Sequence, residues 1–136
     1  MRSVGLFLGV VLTLAGATVN AGGSGTSITS EALGRISIID LVSDQTTVCR
    51  KEKDQSLCFN YFSDDGVIKR LDDDGSRKQG VWFIDDKTRL CILWKGKIKP
   101  LCFKVYEQED GSYNLLKKGK HITTILSTEA GNTKNQ

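Results

Sequence analysis

Five dipeptides, Asp65-Gly66, Asp74-Gly75, Lys95-Gly96, Asp110-Gly111 and Lys118-Gly119, cut this chain into short pieces from residue 46 onward. Glycine enters the positive-φ conformations that tight hairpins need, and aspartate tolerates them nearby. Between the cuts run short apolar or alternating segments: Thr46–Arg50, Leu57–Phe62, Val67–Leu71, Gly80–Ile84, Arg89–Trp94, Leu101–Tyr106, Tyr113–Lys117 and His121–Ser127. Strands at intervals of about 8–12 residues, separated by such turns, describe an antiparallel β-sandwich or a small β-barrel of about 7–8 strands. Few connections are long enough for the crossovers that parallel strands require.

The cysteines are Cys49, Cys58, Cys91 and Cys102. An even number in a short exported chain reads as two disulfides, with three connectivities open. The intervals of eight and ten residues between them lack the close pairs of tetrahedral zinc sites. Cys91 and Cys102 are symmetric about the Gly96–Lys97 bond, so they face each other across a hairpin centred there. A two-residue turn would place Pro100 at a hydrogen-bonded pair, where its missing N–H breaks the ladder. A four-residue loop, Lys95–Ile98, moves Pro100 and the cysteines to non-hydrogen-bonded positions. Opposed Cα atoms there approach to about 4.5 Å, within disulfide reach. Pro100 also places its strand at an edge or a bulge.

Alternation along this hairpin gathers Leu90, Ile92 and Trp94 with Leu101, Phe103 and Val105 on one face, expected to be core. Cys49 and Cys58 are symmetric about Lys53–Asp54, which predicts a second stapled hairpin. Each bridge closes a loop of about ten residues, worth about 2–3 kcal/mol on the chain-entropy model.

The N-terminal part reads differently. Arg2, the apolar run Val4–Leu14 and the small residues Val19-Asn20-Ala21 form the pattern of a cleaved secretory signal over residues 1–21. The run is shorter than the ~20 apolar residues of a membrane span. Residues 22–29 form a flexible leader, 30–129 a single β-domain and 130–136 a flexible tail. Ser30 is placed to cap a short helix that carries Leu33, Ile36 and Val42 on one side. After cleavage no transmembrane segment is expected.

Charge is uneven. Twelve acidic and eight basic residues lie between Gly22 and Asp86, against three acidic and nine basic between Lys87 and His121. One end of the fold is therefore expected to be positive and the other negative. The mature balance of 18 basic and 16 acidic residues is too weak to imply nucleic acid. Lys95, Lys97, Lys99, Lys117, Lys118 and Lys120 are the candidate binding surface.

Candidate chemistry is sparse. His121 is the single histidine, so no histidine cluster can hold a metal, and no G-x-S-x-G elbow or G-x-x-x-x-G-K-[ST] loop is present. The acidic runs ending at Gly66 and Gly75 fail the EF-hand pattern, since Tyr61 or Arg70 occupies the first position, where an aspartate is needed. These runs read as solvated hairpin tips. Trp82, Trp94, Tyr106 and Tyr113 read as core rather than a stacking platform.

The run Tyr61-Phe62-Ser63-Asp64-Asp65-Gly66, then Gly80-Val81-Trp82, Leu90-Cys91-Ile92-Leu93-Trp94, Cys102-Phe103-Lys104-Val105, Asp110-Gly111-Ser112-Tyr113 and Gly119-Lys120, resembles a group of small exported proteobacterial proteins of unknown function, DUF995-like in character. Their pattern is Y-F-x-x-D-G, G-x-W, L-C-x-x-W, C-x-x-V, D-G-x-Y. The likeness spans about Cys58 to Gly131, with Thr133 where that pattern has proline, and its pattern includes neither Cys49 nor Cys58. It implies a periplasmic β-domain and supplies no catalytic residues. The expected role is non-catalytic binding of a protein, an envelope component or a small ligand, without cofactor or metal. The alternatives are an inhibitor or immunity protein against a periplasmic hydrolase, and a small carboxylate-dependent hydrolase.

Overall fold

A computed structural model describes residues 31–136, so the expected export signal, the expected leader and Ser30 lie outside the described residues. Among the described residues one helix, α1 (Arg35–Val42), precedes eight strands: β1 (Gln45–Lys51), β2 (Leu57–Phe62), β3 (Val67–Asp72), β4 (Arg77–Ile84), β5 (Leu90–Trp94), β6 (Leu101–Glu107), β7 (Tyr113–Lys117) and β8 (Lys120–Ala130). Each strand pairs antiparallel with its sequence neighbour, and β1 pairs with β8 to close a barrel. The turn glycines account for the hairpins, since all five adopt positive φ. Of the two architectures expected, the barrel is the one formed.

Closure needs curvature, and two places supply it. A Cβ at Gly80 would lie 2.3 Å from the Leu93 carbonyl oxygen and 2.9 Å from the Trp94 Cα, so only glycine lets β4 come this close to β5. Strand β8 shifts register against β1 at Val48/Cys49 and against β7 at Leu115/Leu116. Such bulges bend a strand and break its alternation. Consecutive Ile122 and Thr123 can thus both line the interior.

Both cysteine pairings follow the predicted symmetry, with Cys49 opposite Cys58 and Cys91 opposite Cys102, each disulfide-bonded. The first lies on the interior face and the second on the outer face. The β5–β6 connection is longer than the expected Lys95–Ile98. A turn with Gly96 at φ 89° is closed by Lys97 N–H donating to the Trp94 carbonyl, and pairing resumes only at Leu101. Pro100, lacking an N–H, therefore sits in the loop before β6, and a closed ring gives it no edge strand to mark.

Leu90, Ile92, Trp94, Phe103 and Val105 join Phe62, Ile68, Leu115 and Ile125 in the core, as the hairpin alternation predicts. The helix corrects the expected one. It starts after Gly34 with no side-chain cap, and Ile36 is 69% exposed. One turn apart, Ile38 and Val42 are the residues buried in the core cluster. They seal the barrel end where β1 begins. Leu33 N–H donates to the Val105 carbonyl, and the Arg35 guanidinium donates to the Ile84 and Asp85 carbonyls.

Residues 130–136, expected to fray, are tied down instead. Gly131 N–H donates to the Asp44 carbonyl, Thr133 N–H to Thr46 Oγ1, and Gln136 Nε2 to the Phe59 and Lys69 carbonyls. Polar composition suggested a loose end, but the backbone of β1–β3 offers acceptors along its path.

Candidate functional site

In an up-and-down barrel the hairpin loops alternate between the two ends. Loops 63–66, 85–89, 108–112 and the link 43–44 therefore share the end that α1 covers. Loops 52–56, 73–76, 95–100 and 118–119 share the opposite end. At that second end the interior opens as a cavity of about 460 Å³. Eight strands enclose just enough room for side chains or for one small ligand. Phe62, Ile92, Trp94, Leu101, Phe103, Leu115 and Ile125 form its apolar wall, and Thr47, Cys49 and Asn60 add a polar strip. Lys51, Glu52, Lys53, Lys120 and His121 stand at its rim.

One rung of the sheet gives the cavity its chemistry. Asn60 on β2 pairs with Arg70 on β3, which pairs with Lys78 on β4. Arg70 Nε donates to Asn60 Oδ1 at 2.8 Å, and Asn60 Nδ2 points to Cys49 Sγ at 3.5 Å. The guanidinium carbon of Arg70 lies 5.1 Å from the Trp94 ring centroid, and Lys78 Nζ lies 4.5 Å from the same ring. Both cations thus use one indole face system as partner. Desolvation lowers the Arg70 pKa, with Asp72 opposing weakly, but a guanidinium stays charged. Desolvation and then the like charge of Arg70 lower that of Lys78. Among the described residues no carboxylate lies within ion-pair distance of either, and Asp72 is held by Lys51 Nζ at 2.8 Å.

A second cluster joins the rim to the outer surface. Thr124 Oγ1 donates to Glu52 Oε2 at 2.6 Å, and His121 Nε2 lies 2.9 Å from the same hydroxyl and 3.8 Å from that carboxylate oxygen. Arg50 Nε donates to Glu52 at 3.2 Å. The Thr124 hydrogen bond, opposed by desolvation and helped by Arg50 and His121, holds the Glu52 carboxyl below its ordinary range. That is the wrong direction for a general base. Thr124 is 2% exposed, out of a substrate's reach. His121 is half-buried with these two partners.

The lysines read as a binding surface do meet. Lys95, Lys97 and Lys99 lie in the β5–β6 loop, while Lys117, Lys118 and Lys120 flank the β7–β8 turn, and these neighbouring hairpins share the open end. Charge does not divide by halves of the chain as expected, because alternate loops from each half reach both ends. The loops and link at the helix end hold seven acids and two bases, and those at the open end four acids and five bases.

The acidic tips have a structural role. Asp54, Asp74 and Asp110 each accept from the backbone N–H and the hydroxyl of the serine two residues on. These bonds hold all three carboxyls below the ordinary range. The one group of metal-ligand atoms found among the described residues, Asp85 with Cys91 and Cys102, has both sulfurs committed to a disulfide. Sequence reasoning missed Asn60, Arg70, Lys78, Lys51 and Lys53. The available signal was Arg70 two residues after Ile68, at an inward-facing position. No protein family, no curated protein and no solved structure matches the chain.

Proposed function

We propose that this protein is a non-catalytic binding barrel of the bacterial periplasm that holds one small, largely apolar ligand inside the ring. The cavity carries the reading: it is apolar-walled, open at one end only, and within the size range of small-molecule sites, about 300–1,000 Å³. Two disulfides support an oxidising compartment. The likeness to small exported proteins supports the same location. Glu52 is the single carboxylate among the cavity-lining residues, which speaks against paired-carboxylate hydrolysis there.

The test is titration with N-phenyl-1-naphthylamine, a neutral apolar dye that brightens out of water. Saturable one-to-one binding is expected, abolished by Leu115→Trp, which fills the cavity. Absence of saturable binding to the folded protein would overturn the reading.

A further inference from the structure

We infer that the ligand is a single-chain fatty carboxylate whose headgroup sits on Arg70 and whose tail fills the apolar barrel. This rests on the cavity being a ligand site. Arg70 spends Nε on Asn60 and one face on Trp94, leaving its terminal nitrogens without an acceptor among the described residues. Those nitrogens form a fork that matches a carboxylate's two oxygens. A desolvated charge without a counter-charge is costly, and Lys78 on the same indole adds a second positive charge instead of relieving the first. An incoming anion supplies what the fold omits.

The surrounding groups agree on sign. The residues lining the cavity include Lys51, Lys53, Arg70 and Lys120 against Glu52 alone, and Arg50 already engages Glu52. The lysine loops beyond the rim extend the positive field that would draw an anion in. Size sets the tail. At a liquid-like share of about 30 Å³ per heavy atom, the 460 Å³ cavity takes about fifteen atoms. Dodecanoate, with about fourteen, is of that size.

The experiment displaces N-phenyl-1-naphthylamine from the disulfide-intact protein with dodecanoate or with dodecan-1-ol, which keeps the tail and removes the charge. Dodecanoate is expected to displace the dye at concentrations at least tenfold lower, and Arg70→Gln, checked for fold by circular dichroism, to shrink that preference below threefold. Equal potency of acid and alcohol on the wild type would overturn the carboxylate assignment, whether or not the variant folds. So would full retention of the preference in Arg70→Gln. In both cases dye binding would leave the cavity reading standing. No dye binding and no displacement would bring down both.

Discussion

The two ends of this barrel are held by different means. At the helix end Ile38 and Val42 are inserted into the core, Leu90 is fully buried, and Arg35 ties the helix to the β4–β5 hairpin. At the open end no element among the described residues covers the interior. One of its four hairpins, β1–β2, is instead crosslinked beside the mouth by Cys49–Cys58, whereas Cys91–Cys102 lies toward the helix end, its sulfurs within 4.8 Å of an Asp85 carboxylate oxygen. Packing stabilises one end, and a covalent bond braces the other. The lesson is that a mouth can stay uncovered and keep its shape if a crosslink replaces the contacts that a packed core would give.

The strongest way to break this comparison uses two leucines on adjacent strands facing the same interior. Leu90 is 0% exposed at the helix end and Leu101 is 37% exposed at the mouth. Leu90→Ala should cost about 2–5 kcal/mol in chemical denaturation, and Leu101→Ala less than about 1 kcal/mol. Equal costs would mean that the mouth is packed as tightly as the sealed end.

Next in size is the crosslink. Replacing Cys49 and Cys58 together by alanine should cost about 2–4 kcal/mol. Hydrogen exchange should then quicken in β1 and β2 beside the mouth and leave Ile38 and Val42 protected. Loosening that begins at the helix would contradict the division of labour.

Acid should act on both ends alike. Asp54 and Asp74 at the mouth, and Asp65 and Asp110 at the other end, all have folded-state pKa values lowered chiefly by hydrogen bonds from serine side chains. A depressed carboxyl adds stability above its unfolded value, about 3.9 for Asp. That stability fades as pH falls through the folded value. Melting temperatures should therefore drop below about pH 4, and Ser112→Ala should move the Asp110 titration, followed by carboxyl NMR, back toward the ordinary value.

The smallest stability effect belongs to the rim. Reversing Lys95, Lys97 and Lys99 to Glu should change stability by less than about 0.5 kcal/mol, since all three are exposed. Association of dodecanoate, measured by stopped-flow dye displacement, should slow and lose much of its salt dependence. An unchanged rate would confine recognition to the cavity interior.

Much of the fold was legible because it is local. Glycine turns located eight strands to within a few residues, and cysteine symmetry set two registers that the structure reproduces. Sandwich and barrel could not be separated from sequence, because closure depends on β1 meeting β8 through two bulges that no pattern in His121–Ser127 announces. The helix was misread at Ile36 because its short apolar run, with isoleucines at 36, 38 and 39, offers more than one face. The lysine rim was legible as a charge run. Arg70 was not, since the segment Val67–Asp72 alternates poorly, and the lack of a counter-charge is a fact of three dimensions.

The β1–β8 pairing sets the barrel's folding kinetics. Seven of the eight pairings join strands linked by short loops, so each can form as a local event. The eighth must bring residues 45–51 to residues 120–130 across nearly the whole domain before any interior is enclosed. Its entropic cost grows only with the logarithm of the span, but it precedes the reward of burial, which is how non-local contacts slow folding. It is also the seam most stitched by polar bonds: Thr46 Oγ1 donates to the Gly131 carbonyl, Thr124 Oγ1 to Glu52, and Glu52 N–H to the Ile122 carbonyl. The ring thus has a last rung, and the time the chain takes to become a container is the time it takes to find it.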